Sequence, residues 1–239
     1  MKWKNSSSAN SIQINSSLGA AALITAAGSS TRMGTGIKKE FLLLQGKPVL
    51  LRTVELFLHT GFFDSCVVTF RPGEKSAMID LLRPCLEDKR VFLIQGGETR
   101  QKSVLNGLEA LLGCDPLYVL IHDGARPWIT EETVRLVLEK TAERGAAAPV
   151  VPAKNALKVI DEGGVFREHL PREKVMGVQT PQGFRYPDIL KAHRKASSDK
   201  RIYIDDTEIY SRYCGDVFAV PGDPNNRKIT YSHDIGGEL

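Results

Sequence analysis

The chain has 239 residues, 42% of them hydrophobic and 25% charged, which suits one large α/β domain with a substantial core. Its net charge of +4 is spread along the sequence without a basic block or an aromatic-interleaved basic stripe, which argues against a nucleic-acid partner and fits a small anionic ligand. The four cysteines, Cys66, Cys85, Cys114 and Cys214, lack the spacing of a zinc site or a disulfide framework, so reduced cytoplasmic thiols are expected, and no run reaches the ~20 apolar residues of a membrane span.

Residues 1–19 carry six serines, three asparagines and two lysines and no acidic residue. They offer almost nothing to bury and are read as a disordered polar tail, with no apolar stretch after Lys4 that would make a secretory signal; an organelle transit peptide is the alternative, disfavoured by the lack of arginine. The domain itself is expected over 20–239. It opens on the apolar run Ala20 to Ile24, a buried strand that breaks into Ala26-Ala27-Gly28-Ser29-Ser30-Thr31-Arg32-Met33-Gly34. Gly28 and the serines let backbone N–H groups approach phosphate oxygens, and Arg32, Lys38 and Lys39 add positive charge at the same strand end. Neither G-x-x-x-x-G-K-[ST] nor G-x-G-x-x-G follows the strand, so a P-loop and a dinucleotide fingerprint are both excluded. An ordinary surface turn is the alternative for this loop taken alone.

Strand and helix signals then alternate. Residues 48–60 read as a helix with Leu50, Val54, Phe57 and Leu58 on one face, ended by Gly61. Cys66 to Phe70, Val91 to Ile94 and Leu117 to Ile121 read as strands, with helical spacing from Val104 to Leu112 between the last two. The turn Gln95-Gly96-Gly97-Glu98-Thr99 before that helix could read the edge of a base with its backbone groups and the Ser103 hydroxyl. A plain loop capped by Thr99 explains it equally well. After Ile121 comes His122-Asp123-Gly124-Ala125-Arg126-Pro127. A carboxylate at the tip of a buried strand needs a partner, which a phosphate-bound Mg²⁺ or another divalent cation would supply. An ion pair between Asp123 and Arg126 is the rival reading.

Thr130 is expected to cap a helix that buries Val134, Val137, Leu138 and Thr141 and ends at Gly145, followed by a strand from Ala147 to Val151. The alternation fails over about 153–178, where Lys158 to Ile160 and Val165 to Arg167 read as a β-hairpin around Asp161-Glu162-Gly163-Gly164. Such an arm has little core of its own, so a second subunit is its expected support. Helical signals return at 187–195 and 205–213, with a strand at Val217 to Val220. Asn225-Asn226-Arg227-Lys228-Ile229-Thr230 then reads either as one more cation for an anionic site or as a solvated turn. The whole pattern predicts a doubly wound, mostly parallel, Rossmann-like α/β sheet that places ligands at the carboxyl ends of its strands.

Taken together, A-A-G-S-S-T-R-M-G with K-K-E-F, G-G-E-T-R-Q-K-S-V-x-x-G-L, H-D-G-A-R-P, V-Q-T-P-Q-G-F and N-R-K-I-T resemble the 2-C-methyl-D-erythritol 4-phosphate cytidylyltransferases over about Ala20 to Ile235. The resemblance implies a nucleotide-diphospho-sugar transferase fold and transfer of CMP from CTP to methylerythritol phosphate, with release of pyrophosphate. It implies that Arg32 and Lys39 stabilise the transition state, while Arg172 and Lys228 hold the sugar phosphate. Ala26, Ala27, Gly28 and Ser29 would border the triphosphate, and Gly96, Glu98 and Ser103 the cytosine. Asp123 would serve CTP and its metal, with Arg126 and Thr180 at the sugar phosphate. The hairpin resembles the family's dimer arm, which would carry Arg172 into a partner's site in a homodimer. The chain departs from the family pattern at Ser30, Lys38, Glu40 and Ala156. A ribitol 5-phosphate cytidylyltransferase shares the CTP site and is the nearest alternative, Ala27 and Gly124-Ala125 leaning toward methylerythritol. A nucleotide-binding module without turnover would have no use for the four residues Arg32, Lys39, Asp123 and Lys228 together.

Overall fold

The computed structural model describes residues 18–28, 38–199, 201–231 and 234. Most of the polar segment at 1–19, together with Ser29 and Arg32, lies outside the described residues.

Strand β1 (Ala20–Ala26) sits at the centre of the main sheet, flanked in parallel by β4 (Ser65–Phe70) and β6 (Tyr118–Asp123). Its alternating side chains supply both cores, since successive strand residues point to opposite faces. Ala20, Ala22, Ile24 and Ala26 pack with α1 (Val49–His59), α2 (Lys75–Leu82) and α4 (Glu131–Arg144), whereas Ala21 and Leu23 pack with α3 (Arg100–Ala110), α5 (Tyr186–Ala196) and α6 (Asp206–Tyr213). Helices on both faces of a mainly parallel sheet make the expected doubly wound, Rossmann-like architecture. Before α1, β2 (Leu43–Leu44) and β3 (Lys47–Pro48) form a small antiparallel ribbon.

The parallel set continues outward through β5 (Val91–Gln95), beside β4. On the other side the sheet is mixed. Strand β11 (Gln182–Arg185) runs antiparallel between β6 and β7 (Ala146–Pro152), and β12 (Phe218–Pro221) lies parallel on the far side of β7. The strand at β11 was not expected, because Gln182 and Gly183 break the apolar run. Gly183 is required there by packing: a Cβ would come within 2.2 Å of Thr141 Oγ1 on α4. The helix α2 was likewise not expected. It buries only Met78 and Leu82, so its sequence carries little amphipathic signal.

The hairpin forms as a separate two-stranded sheet, β8 (Lys158–Ile160) paired with β9 (Phe166–His169). Asp161 shapes its turn, accepting hydrogen bonds from the N–H groups of Gly163 and Val165. The excursion is shorter than the sequence suggests: Met176–Val178 forms β10 and rejoins the main sheet along β7. Beyond it, the Gln179 N–H bonds to the Pro149 carbonyl and keeps the chain on β7 as it enters Thr180.

Candidate active site

The carboxyl ends of β1, β4, β5 and β6 open onto a cavity of about 650 Å³, which Lys39, Asp123 and Lys228 reach from three distant parts of the sequence. Ala26 ends β1 and is buried, whereas Ala27 and Gly28 form the cavity wall. Among the described residues, chain neighbours aside, no atom lies within 4 Å of where a Gly28 Cβ would stand, so its backbone is accessible to a ligand. Lys39 begins a short helical turn, Lys39–Phe41, on the same wall. Its neighbour Lys38 forms an ion pair with Glu74, which ties this turn to the start of α2.

Asp123 is the last residue of β6 and is almost wholly buried. Its carboxylate has Lys228 Nζ at 2.8 Å and the Nε atoms of Arg100 and Arg126 each at 3.5 Å. Burial works against the charge, but Lys228, Arg100 and Arg126 outweigh it and hold the carboxyl well below the usual range. The ion pair with Arg126 is therefore present, and Lys228 is the nearer partner.

Beneath Asp123 runs a chain of hydrogen bonds. The Asp123 N–H donates to Thr180 Oγ1 at 3.1 Å, the Thr180 hydroxyl lies 3.1 Å from His122 Nδ1, and His122 Nε2 lies 3.4 Å from the Arg126 carbonyl. This sequence is satisfied by a neutral imidazole that accepts at Nδ1 and donates at Nε2. Burial pushes the His122 pKa from 6.5 down to about 3, in keeping with that state. Thr180 and Arg126 support the cavity from behind and do not line it.

The segment that brings Lys228 in is pinned by the same support. The Gln179 amide donates to the Asp223 and Asn226 carbonyls at 2.8 and 3.2 Å, and Asn226 Nδ2 donates to the Thr180 carbonyl at 2.8 Å. Arg126 Nη1 donates to the Asn226 carbonyl at 2.8 Å, and the Ile229 N–H reaches the Ala125 carbonyl. Two sequence clusters, V-Q-T-P and N-N-R-K, are thus one structural unit. The reading of 225–230 as a plain solvated turn does not hold, because Lys228 stands on the cavity wall.

On the β5 side, Thr99 caps α3 by accepting from the Lys102 N–H, and Gly97, Glu98 and Ser103 line the cavity. Ser103 Oγ accepts from the Gly97 N–H at 3.0 Å and donates to the Thr99 carbonyl at 2.9 Å, which fixes the turn. Gly96 lies behind the wall. A Cβ there would come within 2.6 Å of the Ala27 side chain and 2.7 Å of Ser103 Oγ, so the two ligand-facing loops touch through a glycine.

Arg100 lines the cavity as well, and the sequence reading assigned it no role. Its Nη2 lies 2.8 Å from Asp206 Oδ2, and His193 Nε2 holds the other oxygen of Asp206 at 3.1 Å. Asp206 is fully buried. Burial opposes its charge, yet Arg100 and His193 bring its pKa from 3.8 to about 2. Only the fold joins these three residues; the one sequence hint is the doubled Asp205-Asp206, of which Asp205 caps α6.

Arg172 stands on the arm, exposed, with its guanidinium donating to the Lys154 carbonyl at 3.1 Å, and it does not line this cavity. Arg32 and Ser29 fall outside the described residues. Among the described residues no cluster of three or more His, Cys, Asp or Glu side chains forms a metal cage, and no helix is long and apolar enough to cross a membrane.

Comparison with known proteins gives one answer throughout. The family model for IspD, 2-C-methyl-D-erythritol 4-phosphate cytidylyltransferase, matches residues 20–237. The cytidylyltransferase of that name from Clostridium novyi is 38% identical over 215 residues, covering 90% of this chain and 92% of the relative. A bifunctional enzyme IspD/IspF from Desulforudis audaxviator is 40% identical over 215 residues, and there the chain spans only 54% of the relative's length. Among solved structures, the 4-diphosphocytidyl-2C-methyl-D-erythritol synthase of Anaerococcus prevotii superposes with a TM-score of 0.81 at 27% identity, covering 90% of this chain and 92% of that one. The Thermus thermophilus cytidylyltransferase gives 0.71 at 31% identity, covering 90% and 94%.

Proposed function

The chain belongs to the 2-C-methyl-D-erythritol 4-phosphate cytidylyltransferase family, and from that premise we propose how its residues divide the work. It is a nucleotidyltransferase of isoprenoid biosynthesis that moves the cytidylyl group of CTP onto methylerythritol phosphate and releases pyrophosphate. The observation that carries the division of labour is the convergence of Lys39, Asp123 and Lys228 on one cavity.

The nucleophile is a phosphate monoester with a second pKa near ~6, mostly dianionic at neutral pH, so no general base is required. The obstacle is attack of one anion on another, and catalysis rests on positioning and on fixed cations. Lys39, with Arg32, meets the charge that grows on the α-phosphate. Lys228 is held in place by Asp123 before substrate arrives and receives the sugar phosphate. Gly28 opens its backbone to the triphosphate, and the Gly97-Glu98-Ser103 turn faces the base.

The donor set at Asp123 fits a phosphate-bound Mg²⁺. Oδ2 is taken by Lys228 at 2.8 Å, whereas among the described residues Arg100 Nε and the Thr25 hydroxyl stand 3.5 Å from Oδ1, which can accept another ligand. One carboxylate with substrate phosphates and water is the usual Mg²⁺ arrangement. When bound, the ion would neutralise phosphate charge.

The exposed apolar surface of the arm supports a homodimer. Ile160 is 58% and Phe166 63% exposed, and a two-stranded ribbon is marginal alone in water. In this reading the arm lies across a second copy and Arg172 serves the partner's site. The enzyme works in the cytoplasm, where its four thiols stay reduced.

Counting pyrophosphate released from CTP with methylerythritol phosphate and, separately, with ribitol 5-phosphate tests the substrate. Release with methylerythritol phosphate is expected. Release with ribitol 5-phosphate alone would overturn it.

A further inference from the structure

Three cations described so far around the cavity are engaged by buried carboxylates. Arg100 faces Asp206, and Lys228 and Arg126 face Asp123. Arg71 differs. It follows the last residue of β4, it is exposed, and it lines the cavity beside Pro72. Among the described residues its guanidinium has no hydrogen-bond or ion-pair partner. An unpaired guanidinium on a cavity wall is suited to a phosphate oxygen, which it can bind with two parallel hydrogen bonds.

The sheet shows which phosphate. Lys228, assigned above to the sugar phosphate, stands against Asp123 at the end of β6, with Arg126 and Thr180 supporting it from behind. Strand β4 lies on the other side of β1, with Phe70 level with Ala26, so Arg71 and Ala27 leave the sheet side by side. In phosphoryl transfer the attacking and leaving oxygens are roughly in line through phosphorus. A nucleophile entering from the β6 side therefore expels its leaving group toward the β4 side.

We propose that Arg71 is a further binding and catalytic residue, the cation that receives the pyrophosphate end of CTP. The role rests on the reading of this cavity as the CTP site. In the step, a sugar-phosphate oxygen bonds to the α-phosphorus and the bond from that phosphorus to the bridging oxygen breaks. The electron pair stays on pyrophosphate, and no proton, oxidant or reductant is needed. Arg71 meets the charge that this bond cleavage adds.

The test is calorimetric titration of wild type, Arg71→Gln and Arg71→Lys with CTP, CMP and pyrophosphate, with magnesium present and sugar phosphate absent. Arg71→Gln should weaken CTP and pyrophosphate about tenfold and leave CMP unchanged, in line with loss of one charge-assisted hydrogen-bonding group. Arg71→Lys should fall between the two. Equal affinities of wild type and Arg71→Gln for all three ligands would overturn this role alone. A matching loss for CMP would also overturn it, placing Arg71 on the nucleoside. A wild-type chain that binds no CTP would overturn the reading of the cavity, and this role with it.

Discussion

The Lys228 ammonium lies 2.8 Å from Asp123 Oδ2, inside a carboxylate environment that also faces Arg100 and Arg126. One buried negative charge thus organises three positive ones. It keeps Lys228 fixed on the cavity wall, which is the preorganisation that electrostatic catalysis needs.

Asp123→Asn should therefore fail in two ways. It removes the counter-charge shared by Lys228, Arg100 and Arg126, and breaking a buried ion pair from one side costs about 3–5 kcal/mol. It also removes the carboxylate suited to Mg²⁺. Denaturant melts and a magnesium titration of activity check both. Normal stability with lost magnesium response would make the residue a metal ligand without a structural role.

Arg32→Ala and Lys39→Ala are each expected to lower turnover by ~10²–10³ while weakening CTP binding much less, because their assigned charge develops in the transition state. Steady-state kinetics beside direct CTP titration separates the two effects. Matched losses would make these residues plain phosphate anchors.

His122 makes stability depend on pH. Burial lowers its pKa from 6.5 to about 3, with Asp123 opposing and Arg126 and Lys228 reinforcing the shift. The unfolded chain takes up the proton first as pH falls. The contribution is therefore complete above pH 6.5 and is lost progressively toward pH 3, by at most about 1.4 kcal/mol per pH unit. Urea melts from about pH 7 to pH 4 should show a shallower decline for His122→Gln than for wild type. Parallel declines would place the acid sensitivity elsewhere.

If the arm completes a partner's site, two inactive variants should rescue each other. Mixing Lys39→Ala with Arg172→Ala after dissociation and reassembly gives heterodimers with one doubly defective site and one intact site. Activity should return toward about a quarter of wild type, since about half of the dimers are mixed. No recovery despite demonstrated subunit exchange would return Arg172 to its own subunit.

Much of the site was legible because its residues break local rules. Asp123 is a charge ending an apolar strand, and Gly28 interrupts another just where β1 leaves the sheet. Lys228 was legible as a cation and not as a partner of Asp123. Arg100 looked like an ordinary first-turn helix residue, since its meaning comes from Asp206 and His193, which only folding brings near. Strand β11 was hidden for a related reason: Gly183 is poor in strand signal but demanded by Thr141 overhead. Helix α2 was hidden because most of its residues face water.

The pinning of the 223–229 segment onto Thr180 and Ala125 has a consequence in time. During synthesis the strands β1, β4, β5 and β6, with Gly28, Arg71, Glu98 and Asp123 at their carboxyl ends, all emerge well before Lys228. Until that last stretch docks, the buried carboxylate lacks its nearest counter-charge and the pocket lacks a wall. A nascent chain can therefore assemble most of its parallel sheet and still be unable to catalyse until residues 223–229 have emerged and docked.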